Sequence, residues 1–393
     1  MEAGTDASAT DRDPSRAHWM ELFFDLIFVA LVGQLAGGLH EDPTAGTLAL
    51  FVVLFASVWW SWVNLTFVVN ITPELSQRAL ALVMLASMVA VGAIAVAAPE
   101  ATGERAWLFA AGNAASRLVL LGLWWRRSHA GERASRMRVL AYNGLTAVLW
   151  LVSIAVPVPY AFLLWALAIA TEVVLLIATT SRWADGLLDR INVEHLAERF
   201  GLLVIIVLGE SVLAIVTALS AHFTLASGLT AACGLLVLSA LAWSFFFFGV
   251  TALQGGLERL LRAKAVRAIR DTVGFLPFLT VTGVTVISGA LSIAIAHPEG
   301  LLPTVSAVSF GGGLALFFLT NALISLRFGD APRAVLRWAV PAVALSCVLV
   351  VAALLVPAGI VVACGVAVLA VVVGLAEAAA ARRRSAARAS SGG

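Results

Sequence analysis

Runs of about 20 apolar residues, separated by short polar stretches, recur along the whole chain. A helix that crosses a bilayer needs about 20 such residues. Runs near 20–39, 46–69, 78–98, 106–125, 139–156 and 159–180 meet that length. So do runs near 196–219, 224–250, 272–296, 303–326, 334–355 and 358–377. The pattern predicts an all-α, polytopic transmembrane helical bundle of about twelve spans. Pro357 and Gly359 predict a tight turn between the last two.

The polar stretches alternate in charge, which tests the span count. Counting from the N-terminus, every second stretch is basic. These stretches hold Arg12 and Arg16; Arg78; Arg126 to Arg138; Arg182 and Arg190; Arg259 to Arg270; Arg327 to Arg337; and Arg382 to Arg388. The opposite set carries Arg105 with the acids Glu41, Asp42, Glu100 and Glu299. Cytoplasmic loops of membrane proteins are the ones enriched in Lys and Arg. One missed span would scramble the alternation downstream, so the pattern predicts an even count with both termini on the cytoplasmic side of an inner membrane.

Composition agrees. The chain is 61% hydrophobic and 12% charged, against roughly 45–50% and about 25% in soluble domains. Lipid is therefore the expected partner, and nothing points to nucleic acid. Cys233, Cys347 and Cys364 all lie in apolar runs without metal-ligand spacing, so neither a metal nor another cofactor is expected. Residues 1–17 lack the basic and apolar segments of a leader and read as a disordered cytoplasmic tail. The remainder divides into a six-span half (18–180), a linker (181–194), a second half (195–377) and a basic disordered tail (378–393).

Ionisable side chains are expensive in hydrocarbon, so those inside spans are candidates for function, with helix cementing as the structural alternative. His18, Glu21 and Asp25 open the first run at spacings of three and four, on one helix face. His195, Glu198 and Arg199 open the seventh, and Glu210 with Ser211 lies deeper in it, beside Gly209. Arg117 in the fourth run and Glu172 in the sixth are the other deep charges. Arg117 needs an acid, which Glu210, Glu172 or Asp25 could each supply. Asn64, Asn113 and Asn321 read as interhelical hydrogen-bonding groups. Trp59, Trp60 and Trp62 read as interfacial anchors, as do Trp124 and Trp125, and Phe245 to Phe248 as lipid contacts. Gly311 to Gly313 mark either tight packing or local unwinding.

The first and seventh runs share an H-x-x-E-x-F pattern, His18…Glu21…Phe23 and His195…Glu198…Phe200. A parallel duplication of a six-span unit leaves such an echo. In it Leu202 stands where Asp25 would be matched.

The segment Glu21-Leu-Phe-Phe-Asp25-Leu-Ile-Phe-Val29 resembles one signature block of the bacterial low temperature requirement protein A family. The segments Glu198-Arg-Phe-Gly201 and Ile205-Ile-Val-Leu-Gly-Glu-Ser211 resemble the second. The resemblance spans about residues 17–380 and implies a multi-span membrane protein, with Glu21, Phe24, Asp25, Glu198, Arg199, Gly201, Gly209, Glu210 and Ser211 on matched positions. Two places depart from the family pattern. Phe247-Phe248-Gly249 lacks the acid that often follows the aromatic pair, and Phe275 stands where a histidine is common before Leu276-Pro277.

Twelve spans, a six-plus-six echo and a few buried carboxylates fit a proton-coupled secondary transporter of a small molecule. In that reading Glu210 carries the proton, Arg117 steadies its charged form, and the acids near His18 gate the cytoplasmic side. An intramembrane enzyme acting on a lipid or isoprenoid, and a non-catalytic stress component, are the alternatives.

Overall fold

A computed structural model describes residues 19–72, 75–127, 137–179 and 188–391. Among them, twelve helices are long and apolar enough to cross a membrane. They are α1 (Trp19–His40), α2 (Ala45–Asn70), α3 (Gln77–Glu100), α4 (Ala106–Trp125), α5 (Met137–Ile154) and α6 (Ala161–Ala178). The others are α7 (Val193–Ala221), α8 (Leu225–Arg262), α9 (Val266–Ala296), α10 (Thr304–Arg327), α11 (Pro332–Ala353) and α12 (Ala358–Glu377). The chain is an all-α, multi-pass bundle built to sit in a lipid bilayer. His18 and residues 1–17 lie outside the described residues, as do residues 181–187, half of the predicted 181–194 linker.

Helix starts follow local chemistry. Thr44 and Thr47 form a capping box at α2. Ser76, Asn192 and Thr224 cap α3, α7 and α8, their side-chain oxygens accepting from the backbone N–H three residues on. Beyond α12 the helix runs on through Ser391, so the segment read from sequence as a basic tail is helical. Its Ala-rich stretch, residues 378–381, favours this conformation.

The centre of the bundle is α9, 83% buried over its apolar window and packed on α1, α7, α8, α10 and α12. Membrane helices pack closely where side chains are small, and α9 supplies Thr280, Thr282, Gly283, Thr285, Ser288, Gly289, Ala290 and Ser292. Gly283 and Gly313 of α10 face each other. A Cβ built on either would come within 2.8–3.0 Å of the other's carbonyl oxygen. On the far side of α10, Gly311 sits against the α11 backbone at Ser346 and Val350. The glycine run is therefore a packing surface in an unbroken helix.

Three spans contain π-helical turns: Leu140–Leu145 in α5, Ser244–Gly249 in α8 and Asp271–Phe275 in α9. The turn in α9 explains the tryptophans of α2. Trp59 donates its indole N–H to the Gly274 carbonyl at 2.8 Å, and Trp60 packs edge-on against Phe275. All three of Trp59, Trp60 and Trp62 are buried, so they are interior groups and not interfacial anchors. Trp124 is also buried and donates to Asn64 at 2.7 Å, while Trp125 is exposed. In the phenylalanine run, Phe247 is exposed and stacks on Trp243, whereas Phe245 and Phe246 are partly buried against the core.

Candidate functional site

Two arginines organise two separate polar centres, and α2 runs between them. In the first, Arg117 of α4 meets Glu172 of α6 in a two-pronged pair, Nε to Oε1 at 2.8 Å and Nη2 to Oε2 at 3.0 Å. Nη1 donates to Ser61 Oγ and to Asn113 Oδ1, each at 2.8 Å. Nη2 also donates to the Ser57 carbonyl. A guanidinium carries five N–H donors, and these contacts occupy all five. Trp150 covers its face, with the ring centroid 5.6 Å from Cζ. Glu172 is thus the acid that Arg117 requires, while Asp25 is held by Arg199 and Glu210 meets neither arginine. A saturated, fully buried ion pair of this kind ties α2, α4 and α6 together.

The second centre joins α1, α2 and α7. Arg199 grips Asp25 through Nε to Oδ2 at 3.0 Å and Nη2 to Oδ1 at 2.7 Å. Its Nη1 donates to Glu21 Oε2, and Nη2 also reaches Thr66 Oγ1 at 3.3 Å. Trp62 donates to Asp25 Oδ1 at 2.7 Å and lies under the guanidinium, with Cζ 5.8 Å from the ring centroid. Asp25 and Arg199 are both 0% exposed. Such charges persist in an apolar interior only when paired and hydrogen-bonded. Phe28 and Phe200 pack on Trp62 and seal the group on the membrane side.

His195 belongs to this centre. Its Nε2 lies 3.3 Å from Glu21 Oε2, and its Nδ1 is 3.0 Å from Asn70 Nδ2. The Asn70 amide is pinned at both ends by Asn192, accepting from its N–H at 3.1 Å and donating to its carbonyl at 2.8 Å. Asn70 therefore presents a donor to His195. The geometry selects the tautomer in which Nδ1 accepts and the Nε2 proton points at Glu21. Glu198 is half-buried one residue before Arg199.

Glu210 stands apart from both arginines. Since Glu21 and Asp25 meet the start of α7 and Gly33 meets Glu210, α1 and α7 pack in parallel. Glu210 lies eleven residues beyond Arg199, about 16 Å along the helix at 1.5 Å per residue. Between them lie Phe28, Val29 and Val32 of α1 and Leu203, Val204 and Val207 of α7, all buried. The Glu210 carboxylate rests against the backbone of Gly33, where a Cβ would overlap it. It opens on a cleft between α1, α7 and α9, lined by Val29, Val32, Gly33, Ala36, His40, Val207, Ser211, Thr285 and Ser288. The free space there is about 10 Å³, room for about one water.

The hydroxyls of this lining are oriented. Ser211 Oγ donates to the Val207 carbonyl at 3.0 Å, and Thr285 Oγ1 donates to the Val281 carbonyl at 2.9 Å. With those protons committed to their own helices, the oxygens offer lone pairs to the cleft, as the carboxylate does. Among the described residues no hydrogen bond or ion pair is recorded at Glu210. The Ser211 and Thr285 oxygens and the carboxylate can accept, and the His40 ring on the same lining can donate, which suits a small polar molecule that exchanges protons.

These residues coincide with what relates the chain to other proteins. The sequence pattern of the bacterial low temperature requirement A protein (LtrA) family matches residues 16–379. The chain belongs to that family. The uncharacterized protein RA0937 of Rhizobium meliloti (strain 1021) is similar to it, 27% identical over 316 residues, which is 78% of this chain and 76% of the relative. No solved structure matches. The two segments that carry the family resemblance, around Glu21 and Glu210, are the two helices that pack together around the second centre and the cleft.

Sequence reasoning found the charged members of each centre, with Ser211 and Asn113 among the neutral ones, and missed the other neutral members. Trp62, Thr66 and Asn70 of α2 complete the Arg199 centre, and Gly33, Thr285 and Ser288 complete the Glu210 cleft. The spacing of Trp62, Thr66 and Asn70, each four residues after the last, was the available signal, because it puts all three on one face of α2.

Proposed function

We propose that this protein is a proton-coupled secondary transporter of a small molecule in the bacterial cytoplasmic membrane, with both termini in the cytoplasm and Glu210 as the proton-carrying group. The observation that carries this reading is the contrast among the acids inside the spans, three of them buried and Glu210 half-buried. Glu21, Asp25 and Glu172 are matched to arginines, whereas Glu210 faces a water-sized cleft. A carboxylate held for structure has a fixed partner; one held for proton exchange needs access and a neighbour that can donate, as water in the cleft or the His40 ring on its lining can. The charge alternation of the loops supports the orientation. The parallel packing of α1 on α7, together with their shared H-x-x-E-x-F pattern, supports two six-span halves related by duplication.

In this reading the cleft lies on the extracytoplasmic side of the apolar layer formed by Phe28, Val32, Leu203 and Val207. The Arg199 centre lies on the cytoplasmic side and latches α1 and α2 to α7. Alternating access then requires that latch to loosen when the cleft is occupied. Arg117 plays no part in steadying Glu210 and serves the α2–α4–α6 scaffold.

The test begins with a strain lacking the gene, complemented by wild-type or Glu210→Gln protein at matched abundance. A solute whose distribution between cell and medium changes on deletion, and is restored only by wild type, names the cargo. Inverted vesicles carrying wild-type protein should then move protons when that solute is added, and Glu210→Gln vesicles should not. Proton movement that survives Glu210→Gln, or a changed lipid species with an unaltered medium, overturns the reading.

A further inference from the structure

On the face of the bundle opposite the N-terminal ends of α1, α7 and α9, two histidines end two packed helices in the same way. His222 caps the C-terminus of α7 with φ −130° and ψ 55°. His297 caps the C-terminus of α9 with φ −132° and ψ 64°. Their ring centroids are 6.0 Å apart, with the planes at 45°. Both residues are exposed, and among the described residues no hydrogen bond is recorded at any of the four ring nitrogens.

We propose that His222 and His297 form a binding site for a divalent transition-metal ion of the zinc, nickel or copper class. Imidazole nitrogen is a preferred ligand for these ions. With metal–nitrogen bonds of about 2.0–2.1 Å, two imidazoles on one tetrahedral ion place their centroids roughly 5 Å apart. The observed separation needs only a small closing movement of two solvent-facing rings. Each histidine also sits where the last carbonyls of a helix leave a partial negative charge, so two converging C-termini favour a cation at this point. Water completes the coordination sphere, because the site faces solvent.

The ion would staple the ends of α7 and α9, the two helices that carry Glu210, Ser211, Thr285 and Ser288. Binding at the two histidines does not depend on the transport reading.

The test uses the full chain, purified in detergent without a histidine tag and stripped with chelator. Zinc titrated calorimetrically should bind at one ion per chain and raise the unfolding temperature, because only the folded form brings the two rings together. His222→Ala and His297→Ala should each abolish that stoichiometric binding and the thermal shift. As a control, His18→Ala together with His129→Ala, which removes two histidines far from this pair in sequence, should retain both. Copper bound to the wild-type chain should show two coupled imidazole nitrogens by electron paramagnetic resonance, and one in either single variant. Absence of stoichiometric binding, or binding unchanged in the His222→Ala and His297→Ala chains, overturns the assignment.

Discussion

The Glu210 carboxylate occupies the space beside Gly33 that a side chain would fill. Glycine at this place in α1 gives the acid of α7 its position at the cleft. Gly33→Ala should therefore displace the carboxylate while leaving the fold intact, because the overlapping atoms are the far end of a flexible side chain. We expect Gly33→Ala to reduce solute-driven proton movement nearly as far as Glu210→Gln does, at unchanged protein abundance and unfolding temperature. Full activity in Gly33→Ala would show that the contact has no functional weight.

The Arg117–Glu172 pair should behave as a structural ion pair. Removing one partner of a buried pair strands a charge, at a cost of about 3–5 kcal/mol, whereas replacing both by apolar groups is often close to neutral. Arg117→Met and Glu172→Leu should each lower the unfolding temperature sharply in detergent. The double variant should recover much of the loss. A double variant that is as unstable as the sum of the singles would mean that Ser57, Ser61 and Asn113 carry the stabilisation instead.

Arg199 should not tolerate lysine. Its planar fork serves both oxygens of Asp25 and one of Glu21 at once, a geometry that an ammonium cannot reproduce. Arg199→Lys keeps the charge yet should loosen α7 from α1. The expected readout is faster protease cleavage or hydrogen exchange at the starts of α1 and α7, with the α4–α6 region unchanged. Equal protection in both chains would show that charge alone holds the latch.

The hydrophobic pattern revealed the twelve spans because each span repeats one strong physical signal, length in lipid. It missed the ends of α8 and α9 for the same reason. Val250–Arg262 is strongly amphipathic, so its helix continues past the apolar window with Leu257 and Leu260 buried and Arg259 and Arg262 exposed. Buried charge was equally legible: Glu21, Asp25, Arg117, Glu172 and Arg199 stand out against an apolar background. Their pairing was not, since which acid reaches Arg117 depends on how α4 packs against α6. The tryptophans of α2 misled because an indole at a span's polar edge and one buried on a π turn look alike in sequence.

The tautomer of His195 offers a test at the level of a single proton. Asn70 is fixed by the backbone of Asn192 and turns its amide N–H toward Nδ1, which leaves the Nε2 proton for Glu21. In the ¹⁵N spectrum of histidine-labelled protein, Nδ1 of His195 should therefore resonate as an unprotonated, hydrogen-bond-accepting nitrogen under conditions where the ring is neutral. Asn70→Ala removes the donor and should yield a mixture of tautomers at this one histidine. It should also cost about 1–3 kcal/mol of stability, the usual penalty when a buried polar group loses its partner. A single, unshifted tautomer in Asn70→Ala would show that Glu21 alone orients the ring. The route from Asn192 through Asn70 and His195 to the ion pairs of Arg199 would then carry no proton-level control.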